Sequence, residues 1–164
     1  MSNLIVLTQD GTGVLDHNDT WRWLPEDAEP TPDSIIPFER WKTLDVHQRS
    51  KAVALMPHHE PEQLAPYLSE IRLIALTFED FKDGRPYSSA HLLRTRLGFK
   101  GDIRAVGDVL RDQLSLMRQC GFTSFLIKEG KDPQDALLGL KGISITYSGS
   151  TEQPNPLFKR VRRV

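Results

Sequence analysis

The chain has 164 residues, 38% of them hydrophobic and 26% charged, with a formal net charge of -1; this fits one globular domain able to bury a core. The near-neutral balance argues against a general nucleic-acid binder, whose face is strongly basic, and no apolar run approaches the ~20 residues needed to cross a bilayer. The single cysteine excludes an internal disulfide, a Cys-x-x-Cys redox pair and a cysteine-ligated iron–sulfur cluster within one chain.

The first residues, Met-Ser-Asn-Leu-Ile-Val-Leu-Thr, lack the basic start, long apolar centre and cleavage site of a signal peptide, so a cytoplasmic location is expected. Residues 4–7 form an apolar run before Asp10-Gly11, a favoured hairpin pair. Val14-Leu15 and residues 21–24 (Trp-Arg-Trp-Leu) are expected as returning strands of a small antiparallel start. Gly11-Thr12-Gly13 has no third glycine and no following helix, so it reads as a turn rather than a nucleotide fingerprint. Four prolines between positions 25 and 37 predict a loop, and 38–49 a short helix or irregular connection.

From Ala52 the pattern becomes regular. Strands are predicted at 52–56, 72–78, 103–106, 124–128 and 143–147, and helices at 62–70 (disturbed by Pro66), 89–97 and 109–120, the last stopped by Gly121. Asp132-Pro133 is a helix start, cap then proline. Such alternation predicts an α/β fold with a mostly parallel sheet, open or curled into a partial-barrel arc, behind an N-terminal hairpin extension. About five strands are too few for an eight-stranded barrel. The expected organisation is an extension over 1–37, an α/β unit over 38–150, and a flexible basic tail over 151–164 carrying Lys159, Arg160, Arg162 and Arg163.

Ligands of parallel sheets bind beyond the carboxyl ends of the strands. That rule selects His58 and His59, the run from Asp80 to Arg85, Gly107 with Asp108, and Lys128 with Glu129. Asp83-Gly84-Arg85-Pro86 reads as a turn with proline holding Arg85 extended, after which Ser88 or Ser89 caps a helix. Arg85 beside a helix start is a candidate anion site, against the plainer reading of a capped helix with an exposed arginine. Arg94 and Arg96 flank the apolar stripe of Ala90, Leu93 and Leu97. Arg104 interrupts a buried strand and needs an acid, with Asp108, Asp83 and Asp112 as candidates, or a ligand. Gln113 falls on an apolar helix face where its amide must find hydrogen bonds, and Asp108 is placed as that helix's cap.

Cys120 projects inward at a helix carboxyl end, where burial and the dipole both disfavour a thiolate, so it reads as an inert core thiol. Adjacent histidines diverge in an extended segment, so His58 and His59 do not make a metal site by themselves. No metal or cofactor is evident, and the G-x-S-x-G, Walker A and H-E-x-x-H templates are absent.

The run Phe81-x-Asp83-Gly84-Arg85-x-Tyr87-Ser88, then Leu92-Leu93-Arg94-x-Arg96-x-Gly98, resembles a known bacterial family of unknown function, number 934. So does Gly101-x-Ile103-Arg104-Ala105-x-Gly107-Asp108-Val109-Leu110-x-Asp112-Gln113, followed by Cys120-Gly121-Phe122. The resemblance covers the C-terminal two-thirds. It departs just before the cysteine, where the family usually places arginine and this chain has Gln119, with Arg118 one position earlier.

Members of that family are often labelled oxidoreductase, and their genes commonly lie beside assimilatory sulfite reductase. The resemblance therefore implies a role in sulfate or sulfite assimilation. Two functions are expected from it. One is an accessory or binding protein for sulfite reductase, acting through an arginine-rich anion or partner site made by Asp83, Arg85, Ser88, Arg94, Arg96, Arg104, Asp108 and Gln113. The other is an oxidoreductase or electron-transfer protein with an unrecognised cofactor. Neither nucleic acid nor membrane is an expected partner.

Overall fold

A computed structural model describes residues 2–140. The strand predicted at 143–147 and the basic tail lie outside the described residues. Eight strands form one sheet: β1 (Leu4–Leu7), β2 (Gly13–Leu15), β3 (Arg22–Trp23), β4 (Ser34–Pro37), β5 (Ala52–Leu55), β6 (Leu73–Phe78), β7 (Asp102–Gly107) and β8 (Ser124–Leu126). Their spatial order is β2-β1-β8-β7-β6-β5-β4-β3. From β3 to β8 every pairing is parallel, and only β1 and β2, at one edge, pair antiparallel. The predicted parallel α/β sheet is present, curled into a half-barrel.

Two N-terminal expectations fail. Residues 22–23 do not return beside the hairpin but pair parallel with β4 at the far edge of the sheet. The proline-rich loop contains β4 itself, whose Ser34, Ile35 and Ile36 are buried between β3 and β5. Proline is tolerated because it stands at the strand's last position, Pro37. The residues expected as an extension thus supply four of the eight strands.

The connection from β2 to β3 explains the curl. These strands are opposite edges of the sheet, and seven Cα steps from Leu15 to Arg22 reach at most about 25 Å. Eight flat strands would measure about 34 Å across. A flat sheet could not be bridged by this segment, so the edges approach each other. Residues 16–21 then run as a strap over the concave face.

The convex face carries α1 (Phe38–Trp41), α2 (Arg85–Thr95), α3 (Leu114–Cys120) and α4 (Pro133–Gly139). Strand positions alternate between the faces. Val53, Leu55, Ile74, Leu76, Phe78, Ile103, Ala105 and Phe125 join Ala90, Leu93, Leu114, Met117 and Phe122 in the main core. The concave set is smaller and built from smaller side chains: Ile35, Ala52, Ala54, Leu73, Ala75 and Val106. Asp132 caps α4 as predicted, accepting the Gln134 N–H at 2.9 Å.

Two other predicted helices are shorter than the periodicity suggests. Residues 61–67 form 3-10 turns, because Pro66 lacks the amide that an α-helix needs there. The helix predicted at 109–120 begins only at Leu114, after an extended Leu110 and one 3-10 turn, and ends at the left-handed Gly121, φ 115°.

Candidate functional site

The carboxyl ends of β6 and β7 meet in a rim built around one loop, residues 79–84. Gly107 closes β7 with φ 93°, and a Cβ there would lie 2.3 Å from the Phe78 carbonyl oxygen. Only glycine permits this approach, and it lets the Asp108 N–H donate to the same carbonyl at 2.8 Å. The Asp108 carboxylate then faces the loop. One oxygen accepts the Phe81 N–H at 2.8 Å and the other the Lys128 ammonium at 2.9 Å.

Gln113 completes the grip, its Nε2 donating to the Phe81 carbonyl. Its Oε1 is buried without a hydrogen-bond partner among the described residues. Both main-chain groups of Phe81 are therefore held by side chains from the neighbouring βα connection. Phe81 is left 44% exposed as a residue, with the Lys82 ammonium 5.5 Å from its ring centroid. Lys128 holds the Asp108 carboxyl below the usual carboxylate range, helped by the Phe81 N–H and opposed by partial burial.

Neither Asp108 nor Ser88 is the helix cap that the sequence suggests. Asp108 is too far upstream, since α3 starts at Leu114. Ser88 lies inside α2, which begins at Arg85 with Gly84 at the cap and Pro86 in the first turn. Arg85 is thus helical rather than extended, as proline's fixed φ suits a first turn. Asp83 accepts the Arg85 main-chain N–H at 3.0 Å and is forked by its guanidinium, Nε at 3.0 Å and Nη2 at 2.8 Å. That arginine depresses the Asp83 carboxyl.

The remaining predicted residues do not gather at this rim. Arg94 lies at the amino ends of the strands. Its Nε donates to Gly121 O at 2.9 Å, and Nη1 to Phe99 O at 2.9 Å and Gly101 O at 2.7 Å. A partly buried cation satisfying three carbonyls ties together the ends of α2 and α3, and burial lowers its pKa.

Arg104 lies on the concave face, 5% exposed. It pairs with none of the acids that the sequence suggests. Nη1 and Nη2 each donate to one oxygen of Asp19 at 3.0 Å, 85 residues away in sequence. Nε donates to Ser124 Oγ at 3.2 Å, and Asp102 stands 3.6 Å from Nη2. Sequence spacing could not find Asp19, because only the strap's path brings it there.

Ser88 and Arg96 share a third place, an apolar groove between α2 and α3 of about 510 Å³, with Tyr87, His91, Leu92 and Cys120. Burial raises Tyr87 to about 12 and pushes the half-buried Cys120 thiol up as well. His59 also has a structural role: Nδ1 accepts the Met56 N–H at 2.9 Å, so Nε2 carries the proton toward Glu39 at 3.0 Å. Burial lowers its pKa despite that carboxylate. Among the described residues no three His, Cys, Asp or Glu side chains are grouped to hold a metal, and no helix is long and apolar enough to cross a membrane.

Of the eight predicted site residues, four thus stand at the rim: Asp83, Arg85, Asp108 and Gln113. No curated protein matches the chain. The family model described as "Bacterial protein of unknown function (DUF934)" matches residues 52–158, which include β5 to β8 and every rim residue. That match spans more than half of the chain, and the protein belongs to this bacterial family of unknown function.

Proposed function

We propose that this protein is a cytoplasmic, non-enzymatic binding protein that supports sulfite reductase in assimilatory sulfur metabolism by docking to the reductase through the Phe81 rim. One observation carries the reading. Asp108 and Gln113 hold both main-chain groups of Phe81 while its ring faces solvent. An aromatic side chain presented on a fixed main chain loses little freedom on binding, and interface energy concentrates in such aromatic and arginine anchors. Arg85, oriented by its fork with Asp83, stands one turn along the same connection.

The link to sulfite reductase comes from the gene neighbourhood implied by the family resemblance. The anion version of the site has less support. At the rim Arg85 and Lys128 are already matched by Asp83 and Asp108, whereas charged pairs of both signs suit the polar border of a protein interface.

The test is calorimetric titration of the protein into purified sulfite reductase from the same bacterium. Saturable binding is expected, weakened at least about tenfold by Phe81→Ala. A growth defect of the deletion strain on sulfate or sulfite, relieved by cysteine, is expected alongside it. No binding by the wild-type protein, or a coloured sample with a cofactor absorption band, would favour the oxidoreductase reading instead.

A further inference from the structure

The strap over the concave face is attached in an unusual way. Among the described residues, no main-chain group from His17 to Trp21 bonds to the main chain of the sheet; the bonds made there are local, from the Asn18 N–H to Asp16 and from the Arg22 side chain, at the start of β3, to the Asp19 and Trp21 carbonyls. Two side chains attach it instead. Asp19 is forked by Arg104, and Trp21 packs against the floor of Ile35, Ala52, Ala54, Leu73, Ala75 and Val106. A carboxylate and an aromatic ring two residues apart thus occupy an arginine and a shallow apolar floor.

Part of the polar group beneath the strap stands without it. Ser124 Oγ is within 2.9 Å of both Asp102 oxygens and accepts from Arg104 Nε, and Asp102 lies 3.6 Å from the guanidinium. When Asp19 leaves, Arg104 still faces a carboxylate, so the large penalty of stranding a buried charge is reduced. The floor and Arg104 belong to rigid strands, whereas the strap has the few attachments typical of segments that open locally. Arg104, Asp102 and Ser124 fall within the family match, and the strap falls outside it.

We propose that Arg104 and the alanine-lined floor form a binding site for a small apolar carboxylate, and that the strap covers it with its own Asp19 and Trp21 as an internal mimic. A ligand's carboxylate takes the fork on Arg104, and its apolar body replaces the Trp21 indole against the concave floor. The strap competes intramolecularly, so the apparent affinity of the intact protein is reduced by the fraction of time that the strap is closed. None of the rim residues takes part, so this site and the docking surface fail independently.

Phenylacetate is the probe, with neutral phenylacetamide and sodium chloride at matched ionic strength as controls. In the full chain, Asp19→Ala is expected to bind phenylacetate at least about tenfold more tightly than wild type. Adding Arg104→Gln is expected to abolish that gain. In the wild-type protein, phenylacetate is expected to speed proteolysis within residues 16–21, and phenylacetamide is not. The wild-type measurement decides the matter if Asp19→Ala does not fold. Equal binding of the acid and the amide, no binding by a folded Asp19→Ala protein, or an unchanged cleavage rate in the wild type would overturn the proposal.

Discussion

Two loops are fastened to β7 in opposite ways. At its carboxyl end, Asp108 takes the main-chain N–H of Phe81, while Gln113, just beyond, takes the carbonyl. At its middle, Arg104 takes the side chain of Asp19, while the strap's main chain from His17 to Trp21 makes no bond to the main chain of the sheet. A loop held by its main chain keeps its place whatever side chain it carries, and that side chain is available to a partner. A loop held by side chains depends on their identity and can be displaced by a molecule that offers the same groups.

The contrast has measurable consequences. Among the residues that fasten the two loops, the largest is expected at Arg104. Arg104→Ala leaves Asp19 and Asp102 without their shared cation beneath the strap, and urea unfolding should show a loss of about 3 kcal/mol, the lower end for breaking a buried pair. A loss below about 0.5 kcal/mol would mean that the strap contributes little to closing the sheet.

Asp108→Ala comes next, at about 1–2 kcal/mol, because it removes two charge-assisted hydrogen bonds from a half-exposed site. This anchor also carries a pH dependence of known sign. Lys128 depresses the Asp108 carboxyl in the folded protein. Its stabilisation is therefore complete above the ordinary carboxylate pKa and is lost as pH falls through the depressed folded value. Amide exchange at Phe81, followed from neutral pH down into the acid range after correction for the intrinsic rate, should show protection declining in that window. Asp108→Asn should flatten the profile.

Gln113→Ala is expected to cost about 1 kcal/mol, the worth of one hydrogen bond. It should loosen the loop around Phe81 without changing the strap. The smallest effect on stability belongs to Phe81→Ala, below about 0.5 kcal/mol, since a side chain with a 44% exposed residue surface supplies little core packing. Phe78→Ala, from the buried core, should by comparison cost about 3–5 kcal/mol. If the two phenylalanines cost the same, Phe81 is a packing residue and not a presented one.

The sequence showed one of these loops far better than the other. Alternating apolar runs and helical periods from Ala52 onward made the parallel strands β5 to β8 legible, because each buries its side chains within one local stretch. Gly107, Asp108 and Gln113 were recognisable as a motif, although pattern alone pointed to a cap and a core amide rather than to two hands on Phe81.

The hairpin of β1 and β2 was legible from its Asp10-Gly11 turn, but β3 and β4 were not, for physical reasons. β3 has two residues and β4 ends in proline, so neither carries a periodic signal; β4 is a strand because β5 offers it an edge, and β3 because β4 does. The partner of Arg104 was out of reach in the same way. Charge alone says that a buried arginine needs an acid, but Asp19 reaches it only because a short segment spans a curled sheet from one edge to the other. The partners of Arg94 were hidden too, because its acceptors are main-chain carbonyls, which no residue name reveals.

The most direct test of the proposed docking function sets the two loops against each other in one binding experiment. Purified sulfite reductase is titrated with the wild-type protein, Phe81→Ala and Asp19→Ala, each first shown to be folded by circular dichroism. Phe81→Ala is expected to lose at least about tenfold in affinity while Asp19→Ala binds like the wild type. Unchanged affinity in Phe81→Ala, or a loss confined to Asp19→Ala, would contradict it.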